Sequence, residues 1–167
     1  LMSSQKGIAV LTDLKNEVAI RRAHDFNWVK AKDGVELTNY DTVRTGPTSS
    51  VMIKYSDESI IVVGENTMVI VVDKRRNNNV EETIVALPAG TVEGRISNSK
   101  NTLSELVVKT GQGWIRTSSK NETGKSKFTA SVSPLGALEV KSEGGELSIL
   151  AKNKETKIRQ NEVVSLP

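Results

Sequence analysis

Along this chain β-branched and apolar residues gather in short runs separated by turn residues, and no stretch sustains the 3.6-residue period of an amphipathic helix. The pattern predicts strand nearly throughout. Gly7 to Leu11 and Glu17 to Arg21 flank the turn Thr12–Asn16. In the second run Val18 and Ile20 point one way and Glu17, Ala19 and Arg21 the other, which predicts a half-buried hairpin. Thr42 to Arg44 leads through Gly46-Pro47-Thr48 into the alternating run Ser50 to Tyr55, and a turn at Ser56-Asp57-Glu58 returns the chain into Ile60 to Val63. Further strands are expected at Thr83–Leu87, Thr91–Ile96, Glu105–Lys109, Trp114–Thr117, Phe128–Val132, Ala137–Lys141, Glu146–Leu150, Thr156–Arg159 and Val163–Leu166. The strongest local hairpin pattern is Leu138–Lys141 and Glu146–Ile149 around Ser142-Glu143-Gly144-Gly145.

Two runs, Ile60–Val63 and Met68-Val69-Ile70-Val71-Val72, are apolar on both faces. A central strand covered on both sides reads this way. So does an exposed edge that pairs with a partner, and Met68 to Val72 is therefore a candidate protein-binding edge. Lys74 to Val80 is polar and aperiodic and is expected to be a loop between two halves of one domain. That domain is expected to span residues 7–167, with Leu1–Lys6 as the ragged start of an expressed fragment or a trimmed precursor; these six residues have neither the charged nor the apolar region of a signal peptide. A short echo, Val43-Arg44-Thr45-Gly46 and Val108-Lys109-Thr110-Gly111, places a basic residue and a threonine at two strand ends.

Composition narrows the chemistry. The chain has no cysteine, which excludes disulfides and thiolate nucleophiles, and its length of 167 residues is enough to bury a core without such staples. No apolar run approaches the ~18 residues of a membrane-spanning helix. Basic residues number 23 and acidic 20, interspersed, and the six aromatics leave little for base stacking, so no nucleic-acid partner is expected. The one histidine, His24, lies in a polar stretch and reads as an exposed bystander. Gly124-Lys125-Ser126 ends like a phosphate loop, but Ser119 stands where its first glycine belongs. No catalytic residue, metal site or cofactor is expected. Trp28 and Trp114 are each core fillers by default; an exposed one would be a platform for sugars or peptides, and Trp114 with Arg116, Lys120 and Lys125 forms the candidate glycan or partner surface.

One stretch is more specific. Trp28, Gly34, Leu37, Asp41, Val43, Arg44, Thr45, Gly46, Ser49, Ser50, Ile53, Asp57, Ser59, Asn66 and Thr67 fall in the order and spacing of the FecR domain, which this stretch resembles over about forty residues. Two glycines of that pattern are replaced, by Tyr40 and Glu58, and altered turns are expected there. Asp41 and Asp57 read as turn-capping acids, with Arg44 as a partner for one of them. The resemblance implies a jelly-roll-like, predominantly antiparallel β-sandwich in the bacterial periplasm, without enzymatic activity. It implies a protein partner, such as an outer-membrane receptor or an anti-sigma system. A cell-wall glycan adaptor is the alternative.

Overall fold

The computed structural model describes residues 7–97, 103–118 and 124–167, and these contain sixteen strands and no helix. In chain order they are β1 (Ala9–Lys15), β2 (Val18–Arg21), β3 (Val29–Lys30), β4 (Glu36–Leu37), β5 (Asp41–Thr45), β6 (Ser50–Tyr55), β7 (Ile60–Val63) and β8 (Met68–Asn77). There follow β9 (Val80–Ser97), β10 (Leu103–Lys109), β11 (Trp114–Ser118), β12 (Lys125–Val132), β13 (Leu138–Gly144), β14 (Leu147–Ala151), β15 (Lys154–Ile158) and β16 (Val163–Leu166).

The strands make two layers that share β9. The first sheet runs β4-β1-β6-β7-β9-β12-β13-β16 and is antiparallel throughout. The second runs β3-β2-β5-β8-β9-β10-β11-β14-β15, with one parallel pair, β9 and β10. Residues Val80 to Ala86 of β9 serve the second sheet and Gly90 to Ser97 the first. At the crossing Gly90 has φ +100°, and a Cβ there would collide with Thr67, so both backbone and space demand glycine.

Alternation drives one face of every long strand inward. Leu11, Ile53 and Ile61 of the first sheet and Val43, Val69, Val71, Leu106 and Ile115 of the second are fully buried in one inter-sheet core, with Phe128 its largest side chain. Packing across the layers is close. A Cβ on Gly94 would come within 2.6–2.7 Å of Phe128 and Leu106.

The expected strands are present, yet several of their connections differ from the expectation. β1 and β2 are not a hairpin: β1 pairs with β4 and β6 in the first sheet, while β2 pairs with β3 and β5 in the second. Likewise β13 pairs with β12 and β16, and β14 with β11 and β15, so Ser142–Gly145 turns an arch between layers. Both segments bury one face in the same core, which an arch allows and a hairpin placed in one sheet would also have allowed; pairing partners far along the chain decide. The expected loop at Lys74–Val80 is instead the tip of the β8–β9 hairpin, turned by Asn78 and Asn79 at φ 48° and 65°. Thr83–Leu87 and Thr91–Ile96 are one strand.

Tyr40 and Glu58 also correct an expectation. Both hold φ near +70° (68° and 71°), so the turns that glycine would favour are kept by residues that are strained there.

Candidate functional site

The family-pattern residues build the frame. Asp41 is fully buried and accepts hydrogen bonds from the Thr38 N–H at 2.8 Å, the Ala23 N–H at 3.1 Å and Arg22 Nη1 at 2.8 Å. Asp57 accepts from the Ser59 N–H at 3.0 Å. Both are turn-capping acids, as expected, but Arg44 pairs with neither. Thr45 Oγ1 donates to the Gly64 carbonyl at 2.6 Å and accepts from the Thr67 N–H at 3.0 Å, tying β5 to the entry of β8. Leu37 and Ser59 are buried, and Gly34 occupies a positive-φ turn (+86°) before β4.

Beneath one rim lies a buried charge cluster that the sequence did not single out. Lys74 Nζ on β8 donates to Asp57 Oδ2 at 2.6 Å and to Thr83 Oγ1 at 2.7 Å, with Glu81 at 3.5 Å. Ser104 Oγ donates to the same Asp57 oxygen at 3.0 Å. Burial works against the Asp57 carboxylate, but the hydrogen bond and charge of Lys74 together with the hydrogen bonding of Ser59 outweigh it and hold the carboxyl below its usual range. Burial and the Asp57 charge push the neighbouring Tyr55 hydroxyl far above the tyrosine range.

The candidate binding residues lie elsewhere, on the outer face of the second sheet. Met68–Val72 is not an open edge, because β8 bonds to β5 on one side and β9 on the other, and Val69 and Val71 face the core. Its outward residues Met68 and Ile70 are half-buried. Cross-strand register carries Ile70 into a row: Arg21 opposite Thr42, Thr42 opposite Ile70, Ile70 opposite Ala86, Ala86 opposite Lys109, Lys109 opposite Trp114, and Trp114 opposite Leu150. From Arg21 to Trp114 this spans five strand spacings, roughly 24 Å at ~4.8 Å each. The next row joins Ile84, Val107 and Arg116. Ile84 and Val107 stand outside the inter-sheet core yet are buried, so neighbouring side chains of the same face already cover them.

Each tryptophan closes one end of this face beneath a cation. Arg44 and Arg21 lie 4.1 and 4.8 Å from the Trp28 ring centre, and Lys109 lies 4.3 Å from that of Trp114. Neither tryptophan is a core filler: Trp28 is half-buried and Trp114 is 45% exposed. The two basic residues of the short echo, Arg44 and Lys109, each lie over one of the rings, with Arg21 joining Arg44 at Trp28. Thr110 holds its own turn, donating to the Gly113 carbonyl at 2.8 Å, whereas Thr45 ties two distant segments together.

The expected glycan set is thus divided. Trp114 and Arg116 share this face, Lys125 begins β12 in the first sheet beside a cleft of about 480 Å³ lined by Glu58, Arg95 and Gly145, and Lys120 lies outside the described residues. His24 is exposed, and the long loop that carries it also exposes Phe26.

The chain is thus a two-layer β-sandwich with aromatic and apolar residues on the outer face of one layer. A family model described as "FecR protein" matches residues 41–134, more than half of the chain, and the chain belongs to the FecR family. Two crystal structures of a candidate anti-sigma factor from Parabacteroides distasonis share the fold, each with a TM-score of 0.55 and 9% identity over 75% of this chain. The chain spans 58% of the length of those proteins. Comparison with curated protein sequences returns no match.

Proposed function

We propose that this FecR-family chain is a non-catalytic module of the bacterial envelope that relays a signal by binding a protein partner on the outer face of its second sheet. The carrying observation is the row across the second sheet from Arg21 to Leu150, with the half-buried Met68 and Ile70 lying between Trp28 under Arg44 and the exposed Trp114 under Lys109. Tryptophan and arginine are the residues that dominate protein–protein binding energy when a partner excludes water from them. Membership of the family and the fold shared with an anti-sigma factor support signal relay as the purpose of such binding.

Site-specific photocrosslinking in the native bacterium tests this reading. A benzophenone side chain at Ile70 or Arg116 is expected to capture a protein, and one at Thr129 or Lys141 on the opposite face to capture none. Adducts confined to the opposite face would overturn the assignment.

A second reading, a cell-wall glycan adaptor, rests on the exposure of Trp114 beside Arg116. It predicts that soluble peptidoglycan fragments quench tryptophan fluorescence and that Trp114→Ala abolishes the effect while Trp28→Ala does not.

A further inference from the structure

We propose that Lys74 and Asp57 condense within the folded chain to an intramolecular amide that staples the two sheets together. The two groups arrive from different layers, Asp57 from the β6–β7 turn of the first sheet and Lys74 from β8 of the second. Their side chains are 2% and 11% exposed, and Nζ already stands 2.6 Å from Oδ2.

Three neighbours supply what the reaction needs. Ser59 N–H donates to Oδ1 at 3.0 Å, where negative charge gathers when the carboxyl carbon is attacked. Ser104 Oγ donates at 3.0 Å to Oδ2, the departing oxygen. Glu81, a second carboxylate 3.5 Å from Nζ, is placed to carry a proton. Thr83 Oγ1 and the Tyr55 ring, whose centre lies 5.2 Å from Nζ, fix the lysine against the carboxyl.

The resting pair is ionic, and one proton first passes from the Lys74 ammonium to Oδ2 along their hydrogen bond. The Nζ lone pair of the resulting amine adds to Asp57 Cγ. Glu81 accepts the proton that the nitrogen sheds and returns it to Oδ2, the Cγ–Oδ2 bond breaks, and Oδ2 leaves as water. The amide keeps one N–H, and no oxidant or further reactant enters.

Fixed neighbours react as though at an effective concentration on the order of 10⁵–10⁸ M. Condensation also removes two charges from a site where ions are poorly solvated, an incentive that exposed pairs lack. Lys127 and Glu93 are 3.2 Å apart on the first sheet, but the lysine side chain is 46% exposed and open to water.

Intact-mass spectrometry of the folded chain, fresh and after prolonged incubation, is the test. The expected mass is one water below that of the sequence. Lys74 should resist trypsin, so that residues 55–75 appear as one internally joined peptide. Glu81→Gln and Lys74→Arg should each restore the full mass, the latter with the ion pair retained. A wild-type mass equal to that of the sequence in both samples overturns the proposal, and so does a water loss that persists in Lys74→Arg.

Discussion

The two outer faces of the sandwich are made by the same chain on the same frame, yet their side chains are used differently. On the first sheet Glu93 is held by Arg95 at 2.6 Å and Lys127 at 3.2 Å, Thr91 and Ser131 share a hydroxyl contact at 2.9 Å, and the half-buried Met52, Ile60 and Val62 sit to one side. The charges of Glu93, Arg95 and Lys127 satisfy one another. On the second sheet Arg21, Arg44 and Lys109 lie over aromatic rings, and Thr42, Met68, Ile70 and Ala86 stand between them without a charge. A cation over a ring keeps its hydrogen-bond donors available, whereas one in an ion pair has spent them; the second face can therefore still be paired from outside.

Replacing what both faces rest on should give the largest effect. Phe128→Ala is expected to cost about 3–5 kcal/mol, since the ring is fully buried between the layers, and both faces should melt together in a single denaturant transition. Two transitions would show that the faces belong to separable units. Trp28→Ala should cost about 1–2 kcal/mol, the sum of two partly exposed cation–ring contacts and some packing. Trp114→Ala, with one such contact, should stay within about 1 kcal/mol and act on partner capture instead. Equal destabilisation by both would remove the distinction between a structural and a binding end of the face.

Glu58→Gly lies on neither face's central rows and serves as a calibrant. It should stabilise the fold by about 1 kcal/mol by relieving a left-handed backbone, measured as a raised denaturation midpoint at unchanged slope. Smallest of all, Glu93→Gln should cost no more than about 1 kcal/mol at low salt and less at high salt, because the Arg95 and Lys127 side chains are nearly half exposed. A salt-independent loss would mean that this network is packing rather than charge.

Much of the fold was legible in the sequence because strand alternation is local. Val18 and Ile20, or Val51 and Ile53, announce a buried face whatever they pair with. Pairing is not local. The turn at Asn16 and the turn at Gly145 carry the same left-handed residues as hairpins do, at φ 61° and 78°, but each sends the chain to the other layer. Only partners such as β6 for β1 and β11 for β14 settle the matter.

The proposed binding face was legible only in pieces. Met68, Ile70, Trp114 and Arg116 were each visible, but their convergence needs the register of strands far apart in sequence. The tryptophans misled through size, since large aromatic rings are usually buried, while this core is filled mainly by valine, isoleucine and leucine. The stacked cations could have been suspected from the short echo, in which Arg44 and Lys109 take matching places. Lys74 was hidden in a basic run that reads as a solvated loop, because nothing local shows that Asp57, seventeen residues earlier, folds under it.

The shared strand β9 has a mechanical consequence. Its eighteen residues are bonded along the second sheet by β8 and β10 and along the first by β7 and β12. A pull along its axis would load these ladders in shear, many hydrogen bonds at once, rather than peel them singly. Tension entering one layer would pass through Gly90 into the other, so the strand acts as a tie rod by which a load on the outer face of the second sheet is felt on the face behind it.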